Sequence, residues 1–131
     1  MDSARSAFDS IADLHSGSVT AATLAAQALD RIEQIDATGY ELNSVLALAP
    51  KITAADFDLA LPLAGLPILI KDNIEALGLP ATAGSTALLD HPVTADSQLV
   101  ARLRAAGANI IGATNLSEWA NIRSTLSLIH I

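Results

Sequence analysis

Leu63-Ala64-Gly65-Leu66-Pro67-Ile68-Leu69-Ile70-Lys71-Asp72-Asn73 carries an apolar run straight into a lysine. A short unbroken apolar run bounded by turn residues has the pattern of a strand buried on both faces, and Gly65 and Pro67 supply the boundary at its start. Lys71 then stands where the strand emerges from the core. In open α/β sheets ligands bind outside the carboxyl ends of the strands, so a cation there is placed for chemistry. A lysine at that point also simply marks the return to solvent, and position alone does not choose between the two.

The residues after the run decide the topology. Positions 72 to 95 contain Gly78, Pro80, Gly84 and Pro92 without sustained periodicity, and a loop of that length in a compact domain is usually functional. Asp96 is the expected cap of a helix in which Leu99, Val100, Leu103 and Ala106 share a face, with Gly107 at its end. Asn109-Ile110-Ile111-Gly112-Ala113-Thr114 comes next as another buried strand. Strand, crossover helix and strand make a βαβ unit over residues 67 to 114, whose strands are parallel and whose crossover is right-handed. Lys71-Asp72-Asn73 and Thr114-Asn115-Leu116-Ser117 are therefore expected at one edge of the sheet, where one cleft holds both.

Upstream, residues 7 to 16 read as a short helix with Phe8, Ile11, Ala12 and His15 on one side and Gly17 at its end. His15 fits a surface residue in the last turn. A clearer helix starts at Thr20 as N-cap, carries Leu24, Ala25, Ala28, Leu29, Ile32 and Ile35 at helical spacing, and stops near Asp36. The charges of Arg31, Glu33 and Asp36 read as a solvated face. Residues 42 to 49 read as a strand ending before Pro50, and residues 51 to 61 are ambiguous.

Bulk properties exclude several functions. The 131 residues are 51% hydrophobic, 16% charged and 3% aromatic, a balance that suits an interior piece of a large α/β protein. A formal charge of −7 with seven scattered Lys and Arg argues against nucleic acid and anionic lipid as partners. Without cysteine there is no disulfide framework or thiolate zinc site, and His15, His91 and His130 lack ligand spacing, so no metal or other cofactor is expected. No apolar run approaches the ~20 residues that span a bilayer. Met1-Asp2-Ser3-Ala4-Arg5 lacks the basic start and apolar core of a secretory signal, so a soluble, cytoplasmic protein is the expectation.

Four segments carry a family resemblance. Gly65-Leu66-Pro67-Ile68-Leu69-Ile70-Lys71-Asp72-Asn73, Thr82-Ala83-Gly84-Ser85, Arg102-Leu103-Arg104-Ala105-Ala106-Gly107-Ala108 and Thr114-Asn115-Leu116-Ser117-Glu118-Trp119-Ala120-Asn121 together resemble the amidase signature family, in its order and at its approximate spacing. The last is similar to the peptide-amidase-like branch. The resemblance covers residues from about Thr20 to about Ser124. It implies an α/β fold, the N-terminal part of the amidase signature fold with a mixed sheet covered by helices. It also implies that Lys71 is the catalytic lysine of a Ser-Ser-Lys triad. In that family the lysine is the neutral base of a relay through one serine, held with a cis peptide bond, to a second serine that attacks the carbonyl.

The family places both serines in a Gly-Ser-rich motif beyond the lysine, and this sequence has no such motif. The chain is thus expected to be an N-terminal fragment of an amidase acting on a small amide or peptide amide, and inactive by itself. Residues 1 to 124 would form that domain portion. Residues 125 to 131, apolar where the family is polar and glycine-rich, would be a non-family-like tail, with a genuine short strand as the alternative. Ser85 is better read as a turn serine bonded to its own backbone than as a substitute nucleophile. Asn73 and Asn115 suit the orientation of loops. Trp119 either lines a substrate pocket or fills core space, and Glu118 reads as a helix-start carboxylate. Two other functions stay open: a non-catalytic binding module on the same half-fold, and a fragment of a glutamyl-tRNA amidotransferase A subunit, which works in a complex.

Overall fold

The computed structural model describes residues 5 to 50 and 57 to 121. The tail expected at residues 125 to 131 and most of the ambiguous stretch after Pro50 lie outside the described residues. Three strands form one sheet: β1 (Val45–Leu48), β2 (Pro67–Lys71) and β3 (Asn109–Thr114), in the order β1-β3-β2. The β2–β3 pair is parallel, with Lys71 opposite Thr114, and β1 runs antiparallel to β3. The sheet is therefore mixed, and its βαβ unit has the expected bounds.

The buried middle of this sheet is β3 rather than β2. Asn109 to Ala113 are all buried, because β3 has a strand on either side and helices above and below. The run expected to be buried on both faces, β2, has only Ile70 fully buried, since it lies at an edge among the described strands. Ile68 pairs with Ile110 and Leu69 with Gly112, which leaves Ile111 as an extra residue in β3. Such a bulge resets side-chain alternation, and Ile110 and Ala113 accordingly reach the same cluster. Gly112 is required by packing: a Cβ there would lie 2.5 Å from the Ala47 carbonyl oxygen, so any side chain would force β1 away.

Helix α3 (Gln98–Ala105) is the crossover and covers one face of the sheet, where Val100 and Leu103 pack with Ile70, Ile110 and Ala113. Its N-cap is Ser97, whose hydroxyl oxygen accepts the Val100 N–H at 3.3 Å, and not Asp96 as expected. The Asp96 carboxylate instead takes the Leu77 N–H at 2.7 Å and pairs with Arg104 at 2.9 Å, tying the preceding loop to the helix. That loop contributes Ala76 and Leu79 to the core. Apart from a single short helical turn at Thr86–Leu88 it is irregular.

On the opposite face, α2 (Ala21–Arg31) packs against β2 and β3, capped by Thr20 as expected. Its buried residues Ala21 and Leu24 join Leu14 of α1 (Ala7–Ser16) and Ala64 in a second cluster. The inward side of α1 is Ser10 and Leu14, whereas Phe8 on the expected face is 80% exposed. The helical periodicity is satisfied by two faces, and packing against residue 64 selects the one containing Leu14. His15 is exposed, with Nε2 3.3 Å from the Leu61 carbonyl.

After Arg31 the helix continues as a wider π turn, Ile32–Ala37, which delivers Asp36 to the interior. This corrects the expectation of a solvated face for Asp36. Its carboxylate accepts the Ser44 N–H at 2.8 Å, the Ser44 hydroxyl, and the Val45 N–H at 3.0 Å. Burial pushes this carboxyl up, but the Ser44 hydroxyl and the two backbone donors outweigh it and hold Asp36 below the ordinary carboxylate range. A group lowered in the folded state adds stability that is fully present above its unfolded value and is lost as pH falls through the folded one. Thermal midpoints of wild type and Asp36→Asn, measured from pH 6 to pH 2, should therefore diverge above about pH 4, the ordinary carboxylate value, and converge below it. Parallel curves would remove the carboxylate from this role.

Candidate active site

Two strand ends build the site. Because β2 and β3 are parallel and in register at Lys71 and Thr114, both chains leave the sheet together. The pairing extends one step further, with the Asp72 N–H donating to the Thr114 carbonyl at 3.0 Å. Lys71 is exposed, and its Nζ donates to the Asn115 carbonyl at 2.9 Å. Neither ion pair among the described residues includes Lys71. The amine is thus held by a neutral acceptor at the carboxyl end of a parallel strand. The apolar run before it does not bury it, as β2 lies at an edge.

Asp72 sits directly behind the lysine and is fully buried. Its Oδ2 accepts the Thr82 N–H at 3.2 Å, the Thr82 hydroxyl, and the Gly84 N–H at 3.4 Å. Among the described residues its Oδ1 has no hydrogen-bond partner. The Asp72 carbonyl takes the Ala83 N–H at 3.0 Å. One residue therefore holds the turn Thr82-Ala83-Gly84-Ser85 against the strand end. Ala83 and Gly84 both have left-handed backbone, with φ of 51° and 70°. A Cβ on Gly84 would meet the Leu116 carbonyl oxygen at 3.0 Å, so glycine lets this turn approach the segment after β3.

That segment is stitched to the turn in return. The Trp119 N–H donates to the Ala83 carbonyl at 2.7 Å, and the Ser85 hydroxyl donates to Glu118 Oε1 at 2.8 Å. Ser85 is buried and bonded to a carboxylate, not to its own backbone, and this fixes it as part of the scaffold. Glu118 opens a tight three-residue turn, Glu118–Ala120, in which Trp119 and Ala120 are left-handed rather than helical, and its carboxylate receives Ser85. Trp119 is 59% exposed with φ of 55°, so it does not fill the core. Asn115 joins the site through its backbone carbonyl, while its N–H and Nδ2 donate to Ser44 and Asn43 at 2.9 and 3.1 Å. Asn73 is exposed beside the lysine.

Sequence reasoning brings Lys71-Asp72-Asn73 and Asn115 to one edge, but assigns no role in the site to the side chains of Asp72, Thr82, Asp36 or Ser44. Their donors are largely backbone N–H groups, which a sequence does not display. A groove of about 910 Å³ lies elsewhere, between α2 and the sheet, lined by Leu24, Ala28, Leu66, Leu69 and Ile111 among others. Lys71 does not line it. No helix among the described residues is long and apolar enough to cross a membrane.

The Amidase family model matches residues 23 to 129. The chain belongs to the amidase family. Among its relatives, the A subunit of the glutamyl-tRNA(Gln) amidotransferase of Lactobacillus delbrueckii subsp. bulgaricus is 42% identical over 119 residues, which are 89% of this chain and 24% of that protein. The X-ray structure of native peptide amidase from Stenotrophomonas maltophilia superposes with a TM-score of 0.80 at 36% identity, over 95% of this chain and 27% of that one. An amidase family protein from Bacillus anthracis str. Ames gives 0.79 at 27% identity, over 94% and 26%. The chain thus spans roughly a quarter of the length of these relatives. Its three-stranded mixed sheet with helices on both faces is part of the amidase signature fold.

The buried Asp72–Thr82 contact gives this family member a testable weak point. Thr82→Val keeps the shape and removes a donor from a buried carboxylate, which should cost about 1–3 kcal/mol. Denaturant midpoints read this loss, and the same substitution made in an Asp72→Ala background should cost clearly less, because the acceptor is gone. Equal costs in both backgrounds would mean that the contact contributes nothing.

Proposed function

We propose that this chain is the lysine-bearing part of an amidase that hydrolyses a carboxamide C–N bond, with Lys71 as general base. The observation that carries the proposal is the Lys71 amine, exposed at the end of a parallel strand and oriented by the Asn115 carbonyl at 2.9 Å. The family membership supports it. In the intact enzyme the neutral amine takes a proton from one serine, which takes it from a second serine as that oxygen attacks the amide carbon. The C–N bond then breaks, the leaving amine receives the proton along the same route, and water releases the acyl group. The two serines are supplied by the intact enzyme rather than by these 131 residues, so the chain alone should not turn over amides. The substrate class proposed is a small amide or peptide amide. Support for a peptide amide comes from the likeness to the Stenotrophomonas peptide amidase over 95% of the chain.

A second reading draws on the 42% identity to the A subunit of an amidotransferase. On it, the chain belongs to one component of an assembly, and the protein alone would show no peptide-amide hydrolysis.

Turnover of small amides by the intact protein tests the role of Lys71. Lys71→Ala should lower it on the order of 10²–10⁴-fold, the usual contribution of a positioned base. Lys71→Arg should fail nearly as badly, because guanidinium stays protonated and cannot accept the serine proton. Circular dichroism checks that both variants fold. Near-normal turnover in the arginine variant would show that only positive charge matters there, and the base role would be abandoned.

A further inference from the structure

The hydrogen bond that orients Lys71 does not end at Asn115. The Asn115 N–H donates to the Ser44 carbonyl at 2.9 Å and its Nδ2 to the Asn43 carbonyl at 3.1 Å, so the residue whose carbonyl receives the lysine is hung from residues 43 and 44. Those residues precede β1 in an awkward backbone, with Glu41 at φ 51° and Asn43 at φ 50°. Left-handed residues with side chains persist where surrounding bonds over-determine them. Asp36 supplies those bonds: both Ser44 donors, N–H and hydroxyl, reach its Oδ1, and the Val45 N–H reaches its Oδ2. Bonds to an ionised acceptor are roughly twice as strong as neutral ones, which suits a carboxylate to this duty.

We propose that Asp36 is a positioning residue for Lys71: its buried carboxylate fixes Ser44, the Ser44 carbonyl anchors Asn115 through its N–H, and the carbonyl of the same residue receives the lysine amine. The link joins the end of the second helix to the end of β2 across 35 positions of sequence, and each step is a hydrogen bond of 2.9 Å or less or the short Ser44 hydroxyl contact. Its catalytic meaning rests on the proposal that Lys71 is the base, but the link itself is measured without turnover.

The experiment uses the full chain with Asp36→Ala, Asp36→Asn and Ser44→Ala. One readout is amide hydrogen exchange at Asn115 relative to Ile110 in the strand that leads to it, β3, which a general loss of stability would move equally. The other is acylation of Lys71 relative to Lys51, the other lysine of the sequence, resolved by peptide mass spectrometry. In Asp36→Ala, Asn115 exchange should rise about tenfold or more over Ile110, as a local opening replaces a protected one, and the Lys71 ratio should rise severalfold. Asp36→Asn keeps a carbonyl oxygen, though an uncharged one, for both Ser44 donors and loses the Val45 bond, so both ratios should rise clearly less than in Asp36→Ala. Folded Asp36→Ala with wild-type ratios, or Asp36→Asn moving as far as Asp36→Ala, overturns the proposal. Where Asp36→Ala does not fold, Ser44→Ala decides: a smaller rise in both ratios supports the link, and unchanged ratios overturn it. Full turnover by Lys71→Arg alongside the expected ratios would remove the lysine's role as base and leave the link standing, so the two failures are distinct.

Discussion

The parallel pairing of β2 with β3 puts Lys71 opposite Thr114, and the arrangement of the site depends on that register. A slip of one residue would turn every side chain of β2 to the other face and take the lysine away from Asn115. The register is enforced by the core beneath it. Ile70 and Ala113 are buried one residue before the strand ends, in the cluster shared with α3, so the lysine emerges where the apolar pairing runs out. Beyond that point the Asp72 N–H bond to Thr114 carries the ladder into the loops.

Two buried carboxylates then hold the loops, and neither has a basic partner among the ion pairs of the described residues. Asp72 gathers the 82–85 turn behind the lysine, while Asp36 gathers residues 44 and 45 on the far side of β3. Burying a carboxylate without a counter-charge is costly unless hydrogen bonds replace its water. Here backbone N–H groups and hydroxyls do so for both oxygens of Asp36 and for Oδ2 of Asp72. The consequence is geometric: such groups fix the course of the backbone, whereas a long basic side chain would fix only its own tip. Both carboxylates thus act on segments that meet at residues 114 to 119, where the amine of Lys71 is received.

Legibility in the sequence depends on the kind of bond involved. Apolar periodicity and caps are readable, so β3, the parallel unit and the starts of α1 and α2 emerge where expected. The Gly65 to Asn73 segment shows the family resemblance and the lysine together. Sequence does not show which of two strands is central, because an edge strand and a buried one share the same apolar pattern when read alone. It also assigns Asp96 as the cap of α3, since Asp and Ser both serve there and only the contact with Leu77 and Arg104 draws Asp96 away. Asp36 reads as a surface charge because it ends a helix rich in charges, and the π turn that brings it inside has no sequence period of its own. Trp119 stays open between pocket and core, and its left-handed backbone beside an exposed ring excludes the core.

The direct test of the register is a long-range triple-resonance NMR measurement of couplings transmitted across hydrogen bonds in uniformly labelled protein. The Asp72 amide nitrogen should couple to the Thr114 carbonyl carbon, and the Asn115 amide nitrogen to that of Ser44. Coupling of the Asp72 amide to the carbonyl of a neighbouring residue instead, or its absence while the rest of the β2–β3 ladder is seen, would contradict the placement of Lys71 on which the site is built.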